Sequence, residues 1–503
     1  RTVEVEGITD LSEKYNKIVV GLIKSVEAHP NADKLRVLKV DVGLEEPVQI
    51  VCGGENLEVD QYVVVTLPGS YAVWHGEGEP VKIEKGKLRG VDSYGMVCGA
   101  KEVGLDLIFP QKTDHEIIDL RGYGLDLKPG KPIADVLSLN DWLIEIDNKS
   151  LTNRPDLWGH YGIARELSAI YGVELKQLPI VDFDNLPKYP VEIDIEGCRR
   201  FFALKYENVS AKKSPIEIQS ALMKVGVRPI NAIVDITNYV MLAIGQPTHA
   251  YDEEHVNGGI IVRKAKNDEK LVLLDESELS LGEEDLVIAD HEKALGLGGI
   301  MGGNNDSILD STKNILFEAA NFDKDMIRHT AQKFGVRTEA SMRFEKGLDS
   351  QRIDLTLSMG HIMIKELFPE AKLVAKSDVN PRATKSEEVE VSIQWLSRRL
   401  GVEVDKNKIE ELIKPLGFSL TEKNDDILEV HVPSWRSTGD VSLQDDVLEE
   451  IARMIGYENF KLQPPKITLT SAINQKDKTL DRRIREYLSF QCGFQEIFTY
   501  PWI

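Results

Sequence analysis

Residues 18–30, IVVGLIKSVEAHP, open a stretch in which short apolar runs alternate with turn residues. LRVLKVDVG (35–43), VQIVCGG (48–54), YVVVTLPGS (62–70) and KLRGVDSYGMVCGA (87–100) continue it. β-Branched residues fill the runs, and Gly, Pro and Asn separate them, so the pattern predicts strands joined by tight turns. Five such runs in succession predict a small closed barrel, with the OB-fold as one candidate. The text changes on both sides of it. Upstream, residues 1–17 are too short and polar to make a domain alone. Downstream, NRPDLWGHYGIARELSAIYG (153–172) takes a helical period, with Leu157, Tyr161, Ala164 and Leu167 on one face, Asn153 as cap and Gly172 as stop.

Further out, 187–374 reads as one mixed α/β region. Its strands are ALKYENV, GIIVRKA, LVLLD, DLVIAD and NILFEAANF, and its helices PIEIQSALMKVG and DKDMIRHTAQKFG, each closed by a glycine. Residues 381–386, PRATKS, read as a linker. VSIQWLSRRLG, VDKNKIEELIKPLG, the hairpin FSLTEKNDDILEVHV and DVSLQDDVLEEIARMIGY then give helix, helix, hairpin and helix, as in a winged-helix-like module. The tail carries a basic amphipathic helix, LDRRIREYLSF, then Gly493 and a strand. The chain opens on Arg1 rather than Met and stops at Ile503 after EIFTYPW, so both ends read as cut.

Composition narrows the function classes. The 503 residues carry 61 Lys and Arg against 83 Asp and Glu, a formal net charge of -22, which excludes indiscriminate polyanion binding and argues against docking on anionic lipid. Cys52, Cys98, Cys198 and Cys492 form no CxxC pair, so neither a zinc ribbon nor a disulfide framework is predicted. No apolar run reaches the length of a membrane span, and no signal peptide opens the text. A reducing, cytoplasmic setting is the expectation.

Four constellations could carry chemistry. On the barrel, Lys82, Lys85, Lys87 and Arg89 lie near Tyr94, a set able to track a phosphate backbone and stack a base. Glu84, Asp92 and Glu102 interleave, and composition alone favours an ordinary charged rim. In 153–166, Arg154, Asp156 and His160 read as a cap and helix-surface charges. In the mixed region, Gly296, Gly298, Gly299, Gly302 and Gly303 permit close backbone approach, with no P-loop Lys-Ser/Thr. Thr237, Asn238 and His249 flank a loop there and Glu318 ends an apolar strand; polar groups converging on a glycine-lined pocket would suit a small polar ligand, but taken alone these residues favour a Gly turn with a surface Glu and a hydrogen-bonded loop His. Last, Asp440, Asp445, Asp446, Glu449 and Glu450 crowd one helix start, more acids than a helix dipole asks for, and a dense oxygen cluster suits Mg²⁺.

The order of the words is more specific than any of these. HPNADKLRV, IVCGGEN and KLRGVDSYGMVCGAKEVGL resemble the tRNA-binding OB domain attached to several aminoacyl-tRNA synthetases. NRPDLWGHYGIARE, VRPINAIVDITNYVMLAIGQPTHAYD (227–252), LGLGGIMGGNND, FEAANFD, IRHTAQKFGVRTEASMRFEKGLD, VPSWRSTGD and EEIARMIGYENF resemble the bacterial phenylalanyl-tRNA synthetase β-chain family. The resemblance implies a multidomain α+β chain: an OB-fold barrel (18–120) inserted in a small N-terminal domain (1–17 and 121–186), a mixed α/β, B3/B4-like editing domain (187–380), a winged-helix-like B5 domain (387–460), and the start of a catalytic-like α/β domain (470–503).

It implies hydrolysis of mischarged Tyr-tRNA(Phe), with Glu318 reading the para-hydroxyl, Thr237, Asn238 and His249 around the ester and its water, and Gly299 and Gly302 shaping the pocket. Lys82, Lys85, Lys87 and Arg89 would meet tRNA, and Asp440, Asp446, Glu449 and Glu450 would hold Mg²⁺ at the contact with the α chain. Partners implied are that α subunit in an (αβ)₂ heterotetramer, tRNA(Phe), and ATP as substrate for attaching phenylalanine. The competing readings are a free-standing tRNA-binding or trans-editing protein and, more weakly, a DNA-binding regulator, which the acidic helix leaves without a basic recognition face.

Overall fold

The computed structural model describes residues 2–304, 307–462, 464, 467–469, 473 and 475–500. It divides into two units, Arg1–Tyr457 and Glu458–Ile503. In the first, β1 (Val5–Asp10) precedes the barrel strands β2 (Ile18–Ala28), β3 (Arg36–Asp41), β4 (Val48–Cys52) and β5 (Tyr62–Thr66). A hairpin, β6 (Gly86–Leu88) and β7 (Val91–Ser93), leads into β8 (Met96–Val97). The sheet order β8-β5-β2-β3-β4 curls back on itself: the Tyr94 N–H donates to the Gln49 carbonyl (2.8 Å), so the chain entering β8 also meets β4. The result is a nearly closed barrel with an aliphatic interior.

Strand β9 (Trp142–Ile146) pairs antiparallel with β1, which gives the short opening segment its ladder. Helix α1 runs His160–Tyr171 and ends, as expected, on Gly172 in the left-handed region. Its start differs from expectation. Gly159, not Asn153, caps it, and Pro155–Leu157 forms a separate 3₁₀ turn. A Cβ on Gly159 would collide with the Gly245 backbone, so close approach of a neighbouring turn sets the boundary. Leu167 is 46% exposed, and the buried positions of α1 are Gly162 and Glu166.

Next come β10 (Val191–Ile193), β11 (Cys198–Glu207), α2 (Ile216–Lys224), α3 (Ala232–Ile244), β12 (Thr248–Asp252) and β13 (Ile260–Lys264). Then β14 (Leu286–Ala289), β15 (Ala294–Leu297), β16 (Met301–Gly302) and β17 (Asn314–Phe322) lead to α4 (Lys324–Phe334), α5 (Glu339–Phe344), α6 (Arg352–Leu367) and β18 (Lys372–Val379). One antiparallel sheet has the order β12-β17-β11-β18 and a second the order β10-β13-β14-β15-β16. The first is covered on both faces. Ile315, Phe317 and Ala319 enter one core with α3 and α6, while Leu316, Ala320 and Phe322 enter another with the second sheet. Burial on both faces is why NILFEAANF reads as an unbroken apolar run rather than an alternating one.

The last part of this unit is β19 (Glu388–Ser392), α7 (Ile393–Leu400), α8 (Lys406–Ile413), β20 (Ser419–Glu422), β21 (Ile427–His431) and α9 (Gln444–Ile455). The expected helix–helix–hairpin–helix gains a strand, because β19 pairs with β21 to make a three-stranded sheet, and VS of VSIQWLSRRLG ends that strand. In the second unit α10 (Lys476–Glu486) continues as a π turn through Gln491. The strand expected after Gly493 is absent among the described residues; Pro501 and Trp502 of its motif lie outside them.

Candidate functional site

The word GQPTHAYD positions His249 residue by residue. Gly245 takes a positive φ (84°) and closes α3. Gln246, fully buried, donates to the Ala320 carbonyl (2.9 Å) and fixes the bend onto β17. The Thr248 hydroxyl donates to the Thr237 carbonyl (3.1 Å), tying β12 back to α3. His249 then stands directly across the ladder from Glu318. Side chains alternate along a strand, so Glu318 shares its face with Leu316, Ala320 and Phe322. It is a carboxyl in a hydrocarbon row.

Neither group has been given a partner. Glu318 is 5% exposed, and its Oε2 and the His249 Nε2 are buried without a hydrogen bond among the described residues. Burial pushes the Glu318 carboxyl up to about 8 and the His249 imidazole down to about 4, so both are neutral at pH 7. The His249 ring also meets the Tyr251 ring edge-on, centroids 4.5 Å apart.

The glycine-rich word packs against the His249 ring. Gly302 backs onto His249: a Cβ there would lie 2.6 Å from the ring Cε1. Gly299 has φ +68° and turns the chain between β15 and β16 against Ile327 of α4, and the Thr338 hydroxyl donates to the Ile300 carbonyl (2.8 Å), pinning that turn. Not every glycine faces His249, for a Cβ on Gly298 would strike Leu286. Thr237 and Asn238 lie in the body of α3 rather than beside a loop, and the Thr237 hydroxyl donates within its own helix to Val234 (2.7 Å). Glu318 sits mid-strand rather than at a strand end. Gln246 and Thr338 carry the support and drew no notice in the sequence, although both stand inside its longest words.

Asp440, Asp446, Glu449 and Glu450 do not converge as one set in this chain. Among the described residues no group of three or more His, Cys, Asp or Glu could hold a metal ion. Arg436 grips Glu450 through two bonds (2.9 and 2.8 Å) and also bonds Asp440. Arg453 bonds Glu450 and Glu166, and Arg154 reaches Glu166 (2.6 Å), Asp156 (2.9 Å) and Asp440 (3.7 Å), which closes a ring of alternating charge. Arg165, stacked on Trp435 at 4.1 Å and 3.9 Å from Asp156, brings the buried set to four cations and four carboxylates. Burial opposes ionisation of Glu450, yet the guanidiniums of Arg436 and Arg453 hold it well below the usual carboxylate range. Asp446 is turned to the Ser442 and Leu443 N–H groups as a cap (2.9 and 2.8 Å), and Glu449 is exposed. Two of the four expected ligands are therefore spent on arginine. Arg154 and Asp156, expected on a helix surface, are 6% and 2% exposed at the centre of this ring.

Lys82, Lys85, Lys87 and Arg89 are all exposed. Lys82 ends a separate ribbon opposite Tyr71, Lys85 lies over the Tyr94 ring at 5.2 Å, and Lys87 pairs with Asp92 at 3.6 Å. Arg89 (φ 49°) and Gly90 (φ 91°) make the tight turn between β6 and β7. HPNAD has a mechanical role here: the Asn31 amide donates to the Arg89 carbonyl (3.0 Å) and His29 bonds the Leu88 carbonyl (3.1 Å). These two side chains brace the basic hairpin on the barrel.

Family profiles match in order: "Putative tRNA binding domain" over 18–122, "B3/4 domain" over 197–369 and "tRNA synthetase B5 domain" over 389–457. The phenylalanine–tRNA ligase β subunit of Latilactobacillus sakei is 37% identical over 498 residues, 97% of this chain and 60% of that protein. That of Clostridium tetani is 36% identical over 490 residues, 96% of this chain and 59% of that protein. An N-terminal fragment of the phenylalanyl-tRNA synthetase β-subunit from Pyrococcus horikoshii superposes with TM-score 0.34 at 15% identity, over 63% of this chain and 87% of that one, too distant to carry an assignment. The chain belongs to the phenylalanine–tRNA ligase β-subunit family. It is a multidomain α+β chain with tRNA-binding, B3/4 and B5 domains, and it spans about 60% of the length of the curated relatives it matches. No helix among the described residues is long and apolar enough to cross a membrane.

Proposed function

We propose that this chain binds tRNA(Phe) and hydrolyses Tyr-tRNA(Phe) in the Glu318 pocket, within a cytoplasmic phenylalanine–tRNA ligase whose α subunit performs the ATP-dependent aminoacylation in an (αβ)₂ heterotetramer. The observation that carries this reading is the unpartnered cross-strand pair of Glu318 and His249. A buried carboxyl without a partner is costly, and a ligand hydroxyl that satisfies it recovers that cost. A phenol does so and a phenyl ring does not, so the pocket selects tyrosine positively. Exclusion by size alone discriminates weakly against one added hydroxyl. His249, neutral and a weak base, orients the attacking water rather than strongly deprotonating it. Water attacks the ester carbonyl, the acyl–oxygen bond breaks, and the proton passes to the ribose oxygen, releasing tyrosine. Asn238, on the neighbouring helix, is assigned to the ester, with Thr237 closing the wall behind it.

The same reading divides the chain into an OB-fold barrel (18–120) inserted between 1–17 and 121–186, an editing domain (187–380), a winged-helix-like domain (387–460) and the start of a catalytic-like domain (470–503). The antiparallel pairing of β1 with β9 supports the insertion. Lys82, Lys85, Lys87 and Arg89 are the assigned tRNA contacts. ATP and Mg²⁺ serve aminoacylation in the complete enzyme. Asp440 and Glu450 do not fit a cation, since their oxygens are committed to guanidinium groups, and no step is assigned to a metal here. The test is deacylation of Tyr-tRNA(Phe) by this chain alone. His249→Ala and Glu318→Ala should each lose most of the rate, and parental rates in both would refute the site.

A further inference from the structure

A cleft of about 630 Å³ opens between the 152–155 turn, α4 and the 438–440 turn, and neither Glu318 nor His249 lines it. Helix α4 has two faces. Ile327 turns inward onto Gly299, whereas Lys324, Arg328 and Gln332, spaced i, i+4 and i+8, line the cleft. Arg337 joins them from the loop before α5. Among the described residues Lys324, Arg328 and Arg337 make no ion pair. The cleft's Glu345 is paired with Lys346 (3.3 Å) and its Asp440 with Arg436, which leaves only Asp325 against three free cations. On a chain of net charge -22, such a concentration marks a place for an anion. Thr438, whose Oγ1 is buried without a partner, adds a neutral donor.

The cations are also joined to the pocket through the chain. Arg328 follows Ile327, the residue against Gly299, and Arg337 precedes Thr338, which pins the Ile300 carbonyl. Guanidinium groups match phosphate oxygens in two-bond geometry, and the cleft volume falls in the range of ligand sites. We propose that this cleft seats backbone phosphates of the RNA strand whose aminoacylated end enters the Glu318 pocket. The proposal rests on the hydrolytic reading of that pocket. It makes α4 a shared wall, with the reacting ester on one side and the strand that delivers it on the other.

The test is single-turnover deacylation of Tyr-tRNA(Phe) by the full chain, titrated over protein and salt concentration. Parent, Arg328→Gln/Arg337→Gln and a remote control, Lys408→Gln, would be compared. The double variant should raise the half-saturating concentration about ten-fold, leave the plateau rate within about two-fold, and lower the salt slope by about one per contact removed. The control should match the parent. An unchanged half-saturation and slope, with the parent active, overturns the proposal. If inorganic triphosphate binding responds to the variant while tRNA binding does not, the cleft is a small-anion site and the strand assignment is wrong. An inactive parent refutes the pocket reading instead, and weaker binding of uncharged tRNA(Phe) by the double variant would still identify the cleft as an RNA seat.

Discussion

The charges gathered around Arg154 and the pair at Glu318 and His249 are both deep in the protein, yet they are treated in opposite ways. Arg436 and Glu450 are 2% and 3% exposed, Glu318 5%. Around Arg154 each carboxylate has a guanidinium, the signs alternate, and the set sums to zero; the guanidiniums hold Glu450, Glu166 and Asp156 below the usual carboxylate range, while burial pushes Asp440 up. At Glu318 the neighbours are hydrocarbon and one neutral ring, so the groups discharge instead. In this cluster every carboxylate is held by guanidinium groups, Arg165 Nη1 and Arg453 Nε alone of its nitrogens being buried without a hydrogen bond among the described residues, and it joins residues 154–166 to 436–453. The pair beside the glycine-rich turn keeps Glu318 Oε2 and His249 Nε2 without a hydrogen bond among the described residues. Equal burial therefore has opposite meanings, and whether a carboxyl has a guanidinium partner tells them apart.

Breaking the ring around Arg154 should give the largest effect. Arg436→Met strips Glu450 and Asp440 of their main partner and should cost about 3–5 kcal/mol in urea unfolding followed by tryptophan fluorescence. A loss below about 1 kcal/mol would mean that the ring is not the joint described.

The pair at Glu318 and His249 should respond with the other sign. A carboxyl whose folded pKa is raised, here from 4.5 to about 8, stabilises the fold below its unfolded pKa and loses that contribution as pH rises through about 8. Glu318→Gln keeps the shape of the neutral acid and removes the titration. It should be more stable than the parent by about 3 kcal/mol at pH 7 and by only about 1 kcal/mol at pH 5. A difference that did not vary with pH would place an unrecognised partner beside Glu318.

Smaller effects probe local packing. Gly302→Ala sets a methyl against the His249 ring and should cost about 1–3 kcal/mol while suppressing deacylation. Full activity in that variant would show the ring free to move. Asn31→Ala removes one brace of the basic hairpin, worth about 1 kcal/mol locally. Amide exchange in 86–93 should quicken while the barrel strands keep their protection.

What was legible in the sequence follows the same division. Strand β17 is written in its apolar run, and Glu318 stands out because nothing else in the run is charged. The glycine word announced close approach, and His249 lay in the longest motif. The ring was not legible, because a polar helix face reads alike whether it meets water or opposed guanidiniums. Its bonds also span 287 positions between Glu166 and Arg453. Arg154 and Asp156 therefore passed for surface charges, and the arginine partners of Asp440 and Glu450 went unread. The strand β19 was hidden for a simpler reason: its five residues run straight into the helix that follows, with no turn residue between them.

The most direct test of the central claim is selectivity. Single-turnover hydrolysis of Tyr-tRNA(Phe) and Phe-tRNA(Phe) should be measured with the parent chain and with Glu318→Ala. The parent should clear the tyrosyl ester far faster than the phenylalanyl ester, and the variant should lose that preference by slowing on tyrosine alone. An unchanged ratio in Glu318→Ala would contradict the account, because the hydroxyl would then be read somewhere else.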